Sequence, residues 1–498
     1  MPDIQQTTDN LTALLTYDSA QPLFFNTGLF LFLFLAFLAG YCLLSGKRTE
    51  SVRLFYLTAF SYYFYYKNAG DYCALLAGIT LLMWQIALWM DRARSQGVKR
   101  AWVVIAVTLM LGQLAYFKYT NFALSLLVPL WGDTFQPLDI FLPAGISFFT
   151  FQSMNYIIDV YRGKMRATTS LLDFAFFVSF FPTLLAGPIL RAKDFLPQLR
   201  GKSLCVTREM FGMGLWFVMM GLFKKAVISD YIGENFVNRI FDDPSLYTGI
   251  ENLMGIYGYA LKLYCDFSGY SDMAIGIALL LGFHFPDNFR SPYQSASVTE
   301  FWRRWHISLS SWLRDYLYIS LGGNRKGKFR TYLNLIVTML LGGLWHGASL
   351  NFVVWGGLHG VALAVHKGLR ALLHRPKDYC SRGWRRAGAV VLTFHFVCFC
   401  WIFFRNATFE ASLTMLRQIL TAFHPELFTQ LATGYWQVFV LMAAGYLLHA
   451  CPDRWQEAGS RIVARCPLPV QALLLLVVIY VVIQVKSSDI QPFIYFQF

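Results

Sequence analysis

Charged residues are scarce in this sequence. Asp, Glu, Lys and Arg make up 14% of its 498 residues, whereas 56% are hydrophobic and 17% are aromatic. The mean hydropathy of +0.46 excludes an ordinary soluble domain, in which about 25% of residues are charged. Apolar stretches of roughly 20 residues, long enough to cross a bilayer core, recur along the chain. The composition therefore predicts a polytopic membrane protein.

Several common site motifs are absent. The nine cysteines form neither a CxxC pair nor a spacing typical of zinc ligands, so the sequence predicts neither a zinc centre nor a disulfide framework. There is no GxGxxG or Walker loop, which argues against the common nucleotide-binding folds. We therefore predict no metal and no bound cofactor, and we look for chemistry among polar residues inside the apolar segments.

The net charge of +14 is concentrated in short connections between apolar segments. Basic clusters occur at 46–53, 91–100, 161–166, 324–330 and 366–386. If these connections are cytoplasmic, they satisfy the positive-inside rule, provided that the stretch 171–190 does not cross the bilayer. The basic charge then indicates topology and contact with anionic membrane lipids, not a nucleic-acid partner.

Twelve segments are predicted to span the membrane, and the expected fold class is all-α. They lie at about 22–45, 52–67, 72–90, 101–117, 138–160, 208–228, 250–282, 331–348, 350–366, 387–405, 434–450 and 468–486. The stretch 171–190 contains Pro182 and Pro188, which interrupt a helix, so we expect a re-entrant hairpin there.

The expected organisation has three parts. A polar extracytoplasmic segment (1–21) precedes a single membrane-embedded domain (22–486), whose main motifs lie within 142–366. An extracytoplasmic tail (487–498) follows and ends in QPFIYFQF.

Residues 300–323 are predicted to form one interfacial helix. Projected as a helix, the segment places apolar and aromatic side chains on one arc of about 120° and Arg303 and Arg304 on the opposite side. His306 falls between the two faces. Two interpretations of the arginines remain open: they bind lipid phosphates, or they attract a polyanionic donor such as a CoA thioester through bidentate contacts with phosphate.

Two histidines stand in the apolar stretch LLGGLWHGASLNFVVWGGLHG, residues 340–360. Ionisable side chains are costly in a membrane span, so His346 and His359 are candidates for function. Gly342 and Gly343 share a helix face with His346 and leave room for a substrate or for another backbone. Close helix packing is the alternative explanation for such glycines. A neutral imidazole here could take a proton from a hydroxyl that attacks a thioester.

Polar residues also interrupt the apolar sequence at 262–276. Asp266 and Tyr270 stand on either side of Gly269. We expect this glycine to break the helix and to place acids and hydroxyls beside a cavity. Asp266 could orient a histidine, bind a hydroxyl substrate or cap the broken helix.

Five sequence blocks resemble the membrane-bound O-acyltransferase family. They are LPAGISFFTFQSMNYIIDVYRG (142–163), FFPTLLAGPILR (180–191), LYCDFSGYSDMAIG (263–276), TEFWRRWHISLSSWLRDYLYISLGGNRKG (299–327) and MLLGGLWHGASLNFVVWGGLHG (339–360). The resemblance extends over about residues 25–405 and is closest to the bacterial alginate O-acetyltransferase branch. It implies a ring of tilted transmembrane helices around a funnel or tunnel, with re-entrant and interfacial helices.

The resemblance also implies an activity. The family's catalytic histidine corresponds to His346, and a second functional histidine corresponds to His306. Candidate binding residues are Arg303, Arg304, Asp266, Tyr270, Trp345 and His359. We expect transfer of an acetyl group from a cytoplasmic thioester, with acetyl-CoA as donor, in the bacterial inner membrane. The acceptor would be a polysaccharide (alginate, cellulose or another exopolysaccharide) or peptidoglycan, reached with the help of an extracytoplasmic acetyltransferase partner. By analogy with bacterial members of the family, the terminal octapeptide (491–498) is expected to contact a partner protein.

Three other interpretations remain open. A D-alanyl transferase of the same fold would take its acyl group from a carrier-protein thioester. A transporter would also contain buried polar groups, but it is expected to have paired broken helices in repeated halves, and no convincing repeat is visible. A non-enzymatic scaffold of a polysaccharide export system would tolerate the loss of His346.

Overall fold

The computed structural model describes residues 12, 14–44, 50–131, 136–199, 206–376, 381–485 and 493. All regular structure within these ranges is helical, which confirms the predicted all-α class. The chain divides into two compact units: Met1–Thr207 with Ile277–Phe285, and Arg208–Gly276 with Pro286–Phe498. The single membrane domain therefore stays a prediction. Most of the segment 1–21 and of the tail 487–498, including the partner contact expected for the tail, lies outside the described residues.

The first unit contains nine α-helices among its described residues. They are α1 (Gly28–Leu43), α2 (Glu50–Ala69), α3 (Cys73–Arg92), α4 (Gln96–Leu114), α5 (Thr120–Trp131), α6 (Ile146–Tyr161), α7 (Leu171–Ser179), α8 (Phe181–Leu184) and α9 (Ala192–Phe195). Short 3-10 helices lie at Gly70–Tyr72 and Leu196–Leu199, and a π-helical turn lies at Ala115–Tyr119.

The second unit begins with α10, and its described helices run to α22. They are α10 (Arg208–Leu222), α11 (Asn238–Asp242), α12 (Gly249–Leu280), α13 (Val298–Arg304), α14 (Ile307–Trp312), α15 (Gly327–His346), α16 (Leu350–Leu372), α17 (Gly383–Arg405), α18 (Phe409–Thr421), α19 (Phe428–Gly434), α20 (Trp436–Ala450), α21 (Asp453–Arg465) and α22 (Leu468–Val485). The last turn of α12 belongs to the first unit. The π-helical stretches are Phe223–Asp230, Gly233–Val237 and Leu313–Tyr318, and 3-10 turns lie at Pro244–Leu246, Pro292–Gln294 and Pro425–Leu427.

Each of the twelve predicted spans overlaps one or more of these helices. Within the described ranges, six helical stretches are long and apolar enough to cross a membrane: Glu50–Arg92, Gln96–Val128, Arg208–Asp242, Leu350–Leu372, Gly383–Arg405 and Leu468–Val485. Helices α19 and α20, bent by 96°, form a seventh if the pair is one span. The chain is therefore a multi-pass membrane protein.

The interruption predicted for 171–190 is present. Helix α7 ends before a kink, and Pro182 lies in the first turn of the very short α8. Asn155 of α6 holds the chain beyond this break, because its Nδ2 donates to the Leu190 carbonyl oxygen at 2.8 Å and its Oδ1 accepts from the Ala192 N–H at 3.2 Å. The re-entrant path of this segment stays a prediction.

The break predicted at Gly269 is wrong. Helix α12 runs without interruption through this position. A Cβ on Gly269 would lie 2.9 Å from the Gly221 carbonyl oxygen of α10, so the missing side chain serves close helix packing. Asp266 consequently does not cap a broken helix.

The single helix predicted for 300–323 is also wrong. The structure divides the segment into α13 and α14, and His306 between them has a left-handed backbone with φ of +44°. The cause is a tertiary hydrogen bond: the Ile307 N–H donates to the Asn288 carbonyl oxygen at 2.9 Å, whereas a continuous helix would direct it to Arg303. The amphipathic pattern suits both halves and does not reveal the break.

Candidate active site

His346 is the last residue of α15 and is buried in an aromatic enclosure. Its ring lies 4.9 Å from the ring of Trp345, 5.1 Å from Trp355 and 5.3 Å from Phe404, in each case edge to face. Three such contacts from α15, α16 and α17 fix the plane of the imidazole. The enclosure also keeps bulk water away from a group that can carry a proton.

Glycines hold α15 and α16 close together beside this histidine. A Cβ on Gly343 would lie 2.2 Å from the Phe352 carbonyl oxygen, and a Cβ on Gly356 would lie 2.3 Å from the Met339 carbonyl oxygen. Of the two uses of glycine left open by the sequence, the structure therefore supports the approach of another backbone at Gly343. The end of α15, and with it His346, is set by this contact.

His306 is fully buried at the turn between α13 and α14. Its Nδ1 lies 3.1 Å from Asn288 Oδ1, and the ring of Phe267 from α12 stands edge-on at 4.7 Å. Burial lowers the pKa of His306 to about 3, so its imidazole is neutral at physiological pH.

Trp345 links the two histidines. Its ring centroid lies 6.2 Å from that of His306 and 4.9 Å from that of His346. The structure therefore brings both candidate catalytic histidines close to one indole. The two histidines are forty residues apart in the sequence, with α14 and most of α15 between them, so the sequence did not show this arrangement.

His359 lies in the same aromatic cluster, on α16. The indole N–H of Trp302 donates to His359 Nδ1 at 3.3 Å, and the Trp355 ring lies 5.0 Å away. Because an indole nitrogen only donates, the neutral His359 ring carries its proton on Nε2. His359 therefore packs among the aromatic side chains that surround the site.

A cavity of about 850 Å³ opens beside these residues, between α13, α14, α15 and α16. Its lining includes five cationic side chains, Arg303, Arg314, Lys328, Lys367 and Arg370, together with the imidazole of His366. Arg314 also pairs with Asp315 at 2.7 Å. Among the described residues that line it, none is Asp or Glu. The cavity is therefore a concave site with a positive potential, which favours a polyanionic ligand.

Two features connect the cavity with His346. Met339 lines the cavity, and His346 lies about two helical turns further along α15, roughly 10 Å. Trp302 also lines the cavity, and its ring contacts Trp355 at 5.7 Å, which in turn contacts His346. Trp302 and Trp355 therefore connect the lining of the cavity with the aromatic enclosure of His346.

The two candidate arginines have different surroundings. Arg303 lines the cavity. Arg304 instead pairs with Glu300 one turn earlier, at 2.9 Å, and a second arginine, Arg386, contacts the same carboxylate at 3.2 Å. Arg303 is therefore part of the cavity wall, whereas Arg304 has a structural partner.

Asp266 and Tyr270 are both buried on α12 but face an ionic cluster. Lys225 Nζ contacts Asp266 at 2.6 Å and Asp230 at 2.8 Å. Phe493 lies over the same ammonium at 4.5 Å and against the Tyr270 ring at 4.8 Å. Among the interpretations of Asp266, an ion pair between helices was not considered. The paired lysines inside an apolar run were a signal that could have revealed it.

Other residues of the site were missed or given another meaning. Lys328, Lys367 and Arg370 belong to the basic clusters that were interpreted as topology signals only. Their positions at the ends of the two helices that carry His346 and His359 could have indicated a shared basic pocket. No sequence pattern pointed to Asn288.

These features define a multi-pass membrane protein with buried histidines beside a basic cavity. Residues 57–407 match the family model of the membrane-bound O-acyltransferases, and the chain belongs to this family. It is therefore an O-acyltransferase, which confirms the predicted enzyme class.

Several relatives with known names are similar to this chain. The chain is 39% identical to the probable alginate O-acetylase of Pseudomonas putida, over 95% of this chain and 100% of the relative. It is 37% identical to the peptidoglycan O-acetyltransferase of Helicobacter pylori, over 79% of each chain. The chain is 29% identical to the teichoic acid D-alanyltransferase of Bacillus subtilis, over 53% of this chain and 69% of the relative.

Proposed function

We propose that this protein transfers acetyl groups from cytoplasmic acetyl-CoA across the bacterial inner membrane, for O-acetylation of a secreted or cell-wall polysaccharide. The observation that carries the proposal is the basic cavity about two helical turns from His346. A cavity with this charge is suited to a polyphosphate, and Trp302 in its lining connects it through Trp355 with His346, towards which we expect the acyl thioester to extend.

The donor is assigned from the charge of the cavity. Arginine forms bidentate contacts with phosphate, and lysine adds a mobile point charge. The side chains of Arg303, Arg314, Lys328, Lys367 and Arg370 line one volume of about 850 Å³. We expect several of them to contact the phosphates of CoA, while the thioester end extends along α15.

The chemistry is assigned to His346. Its neutral imidazole takes the proton of an acceptor hydroxyl as the oxygen attacks the thioester carbonyl. A C–O bond forms, the C–S bond breaks, and the proton passes to the departing thiolate. General-base assistance of this kind contributes about 10²–10⁴ in rate.

The acceptor is assigned from the relatives. The names of the Pseudomonas putida and Helicobacter pylori proteins both describe O-acetylation of a cell-envelope or secreted polymer, at 39% and 37% identity. The similarity to the D-alanyltransferase covers only 53% of this chain, which favours acetyl over D-alanyl. We expect an extracytoplasmic partner to carry the acetyl group to its final hydroxyl.

The test is acetyl transfer across the membrane of proteoliposomes. Radiolabelled acetyl-CoA is supplied on one side and a hydroxyl acceptor, such as a soluble alginate oligomer, on the other. The wild type is compared with His346→Ala and with His284→Ala, which removes an exposed histidine of the first unit. Gel filtration in detergent shows that each variant is folded.

We expect label to cross with the wild type and with His284→Ala, and to fall by at least about 10²-fold with His346→Ala. Equal transfer by a folded His346→Ala variant would refute the assigned base. Transfer only from a D-alanyl carrier-protein thioester, and none from acetyl-CoA, would refute the assigned donor.

A further inference from the structure

Asn288 joins three parts of the second unit at His306. It lies in the connection between α12 and α13 and is 1% exposed. Its Nδ2 donates to Ser271 Oγ of α12 at 3.0 Å. Its Oδ1 accepts from the backbone N–H of Ser308 at 3.2 Å and from the Ser308 hydroxyl at 2.8 Å, and it faces His306 Nδ1 at 3.1 Å.

These contacts determine which end of the amide faces the histidine. A backbone N–H can only donate, so the atom that contacts Ser308 N must be the amide oxygen. The same oxygen contacts His306 Nδ1. An amide oxygen only accepts, and Nδ1 must therefore carry the proton. In the neutral ring, the remaining lone pair is then on Nε2.

The backbone of Asn288 holds the histidine in place as well. Its carbonyl oxygen accepts the Ile307 N–H at 2.9 Å, which stabilises the left-handed conformation of His306. Such a conformation is uncommon for a residue with a side chain and persists where surrounding bonds enforce it.

His359 provides a comparison within the same site. Its Nδ1 accepts the Trp302 indole N–H, so its proton is on Nε2. The two buried histidines therefore have opposite tautomers, each fixed by a partner that can play only one role.

We propose that Asn288 is a positioning residue that fixes His306 as a proton acceptor at Nε2. This inference rests on the proposed function, because it makes His306 a base or hydrogen-bond acceptor for the same acyl transfer. Asn288 itself does not touch the reacting atoms.

Four further side chains contact the ring of His306, and a substitution at Asn288 can alter the protonation of this ring without changing them. Phe267 of α12, Phe289 of the connection, Ser308 of α14 and Trp345 of α15 surround the ring. None of these four side chains is charged at neutral pH. A carboxylate at position 288 would stabilise the imidazolium form and raise the pKa of His306.

The experiment measures the pKa and the tautomer of His306 from pH-dependent ¹⁵N spectra of histidine-labelled protein, in the wild type, Asn288→Asp and Asn252→Ala. The His306 signal is identified by its absence in His306→Gln, and it is followed directly because the acid limb of kcat would report His346. Asn252 is the control, because it is also fully buried and anchors a turn through bonds from Nδ2 to backbone carbonyl oxygens. We expect Asn288→Asp to raise the pKa of His306 by about 1–3 pH units, the usual effect of an adjacent opposite charge, and Asn252→Ala to leave it unchanged.

An unshifted pKa of His306 in a folded Asn288→Asp variant would overturn the inference. If that variant does not fold, the ¹⁵N spectra of the wild type alone give the tautomer. An Nδ1–H ring supports the inference, and an Nε2–H ring overturns it. The failures are distinguishable, because an unshifted His306 pKa beside an inactive His346→Ala variant refutes this inference alone, whereas a fully active His346→Ala variant refutes the proposed function.

Discussion

The contact between α15 and α16 predicts opposite outcomes for two adjacent glycines. In Gly343→Ala, the new Cβ would lie 2.2 Å from the Phe352 carbonyl oxygen, and a backbone atom cannot turn away as a side chain can. In Gly342→Ala, the nearest atom is Leu313 Cδ1 at 3.2 Å, the end of a flexible side chain. Each substitution gains about 1 kcal/mol from the better helix propensity of alanine.

The difference between the two variants follows from the packing. Forcing a methyl group into a packed helix contact costs about 1–3 kcal/mol. Gly343→Ala is therefore expected to be less stable than Gly342→Ala by about 2 kcal/mol, because both share the propensity gain but only one meets a backbone atom. At about 2 °C per kcal/mol for a large domain, the two Tm values should differ by about 4 °C.

Thermal unfolding of the detergent-solubilised protein, followed by the loss of its monodisperse gel-filtration peak, measures this difference. Equal Tm values for the two variants would refute the conclusion that the helices are locked at Gly343. Gly356→Ala repeats the test from the facing helix, because its Cβ would lie 2.3 Å from the Met339 carbonyl oxygen. It should resemble Gly343→Ala.

Two further predictions concern charge. Arg303→Gln should raise KM for acetyl-CoA about ten-fold, the effect of losing one charged hydrogen bond, whereas Arg304→Gln, whose guanidinium pairs with Glu300, should change it less than about two-fold. Steady-state kinetics with varied donor check this, and equal KM values for the two variants would contradict it. Lys225→Met leaves Asp266 buried without its ammonium and should lower the free energy of unfolding by about 3–5 kcal/mol. Adding Asp266→Leu should recover much of that loss in the same thermal assay, and no recovery would contradict the ion-pair explanation.

The positions of the apolar helices could be predicted from apolar length, although only six or seven helical stretches among the described residues are long and apolar enough to cross a membrane. A run of about 20 apolar residues in a membrane has few alternatives to a helix, since every backbone polar group must be satisfied internally. All twelve predicted spans accordingly overlap helices. The motif around His346 was equally visible, because an ionisable residue stands out in an apolar run.

The interruptions were not predictable in the same way, because tertiary contacts decide them. Gly269 has the composition of a helix break, yet it lies in a continuous helix and admits the Gly221 backbone of α10. His306 lies in a good helical pattern, yet its turn is set by Asn288, eighteen residues earlier in the chain. The sequence alone does not show which residues far apart in the chain are in contact.

The lysines of the π-helical stretch Phe223–Asp230 have a consequence for biosynthesis. Lys224 contacts Asp272 at 2.6 Å and Lys225 contacts Asp266 at 2.6 Å, with the acids 48 and 41 residues later in the chain. A lysine at the centre of a span raises the free energy of insertion by about 2.5–3.5 kcal/mol. Lys225 already has Asp230 in its own stretch, at 2.8 Å, but the Asp272 partner of Lys224 is synthesised 48 residues later. Lys224 therefore enters the membrane before its counter-ion exists, and we expect the stretch Arg208–Asp242 to reach its final depth only when α12 has entered beside it.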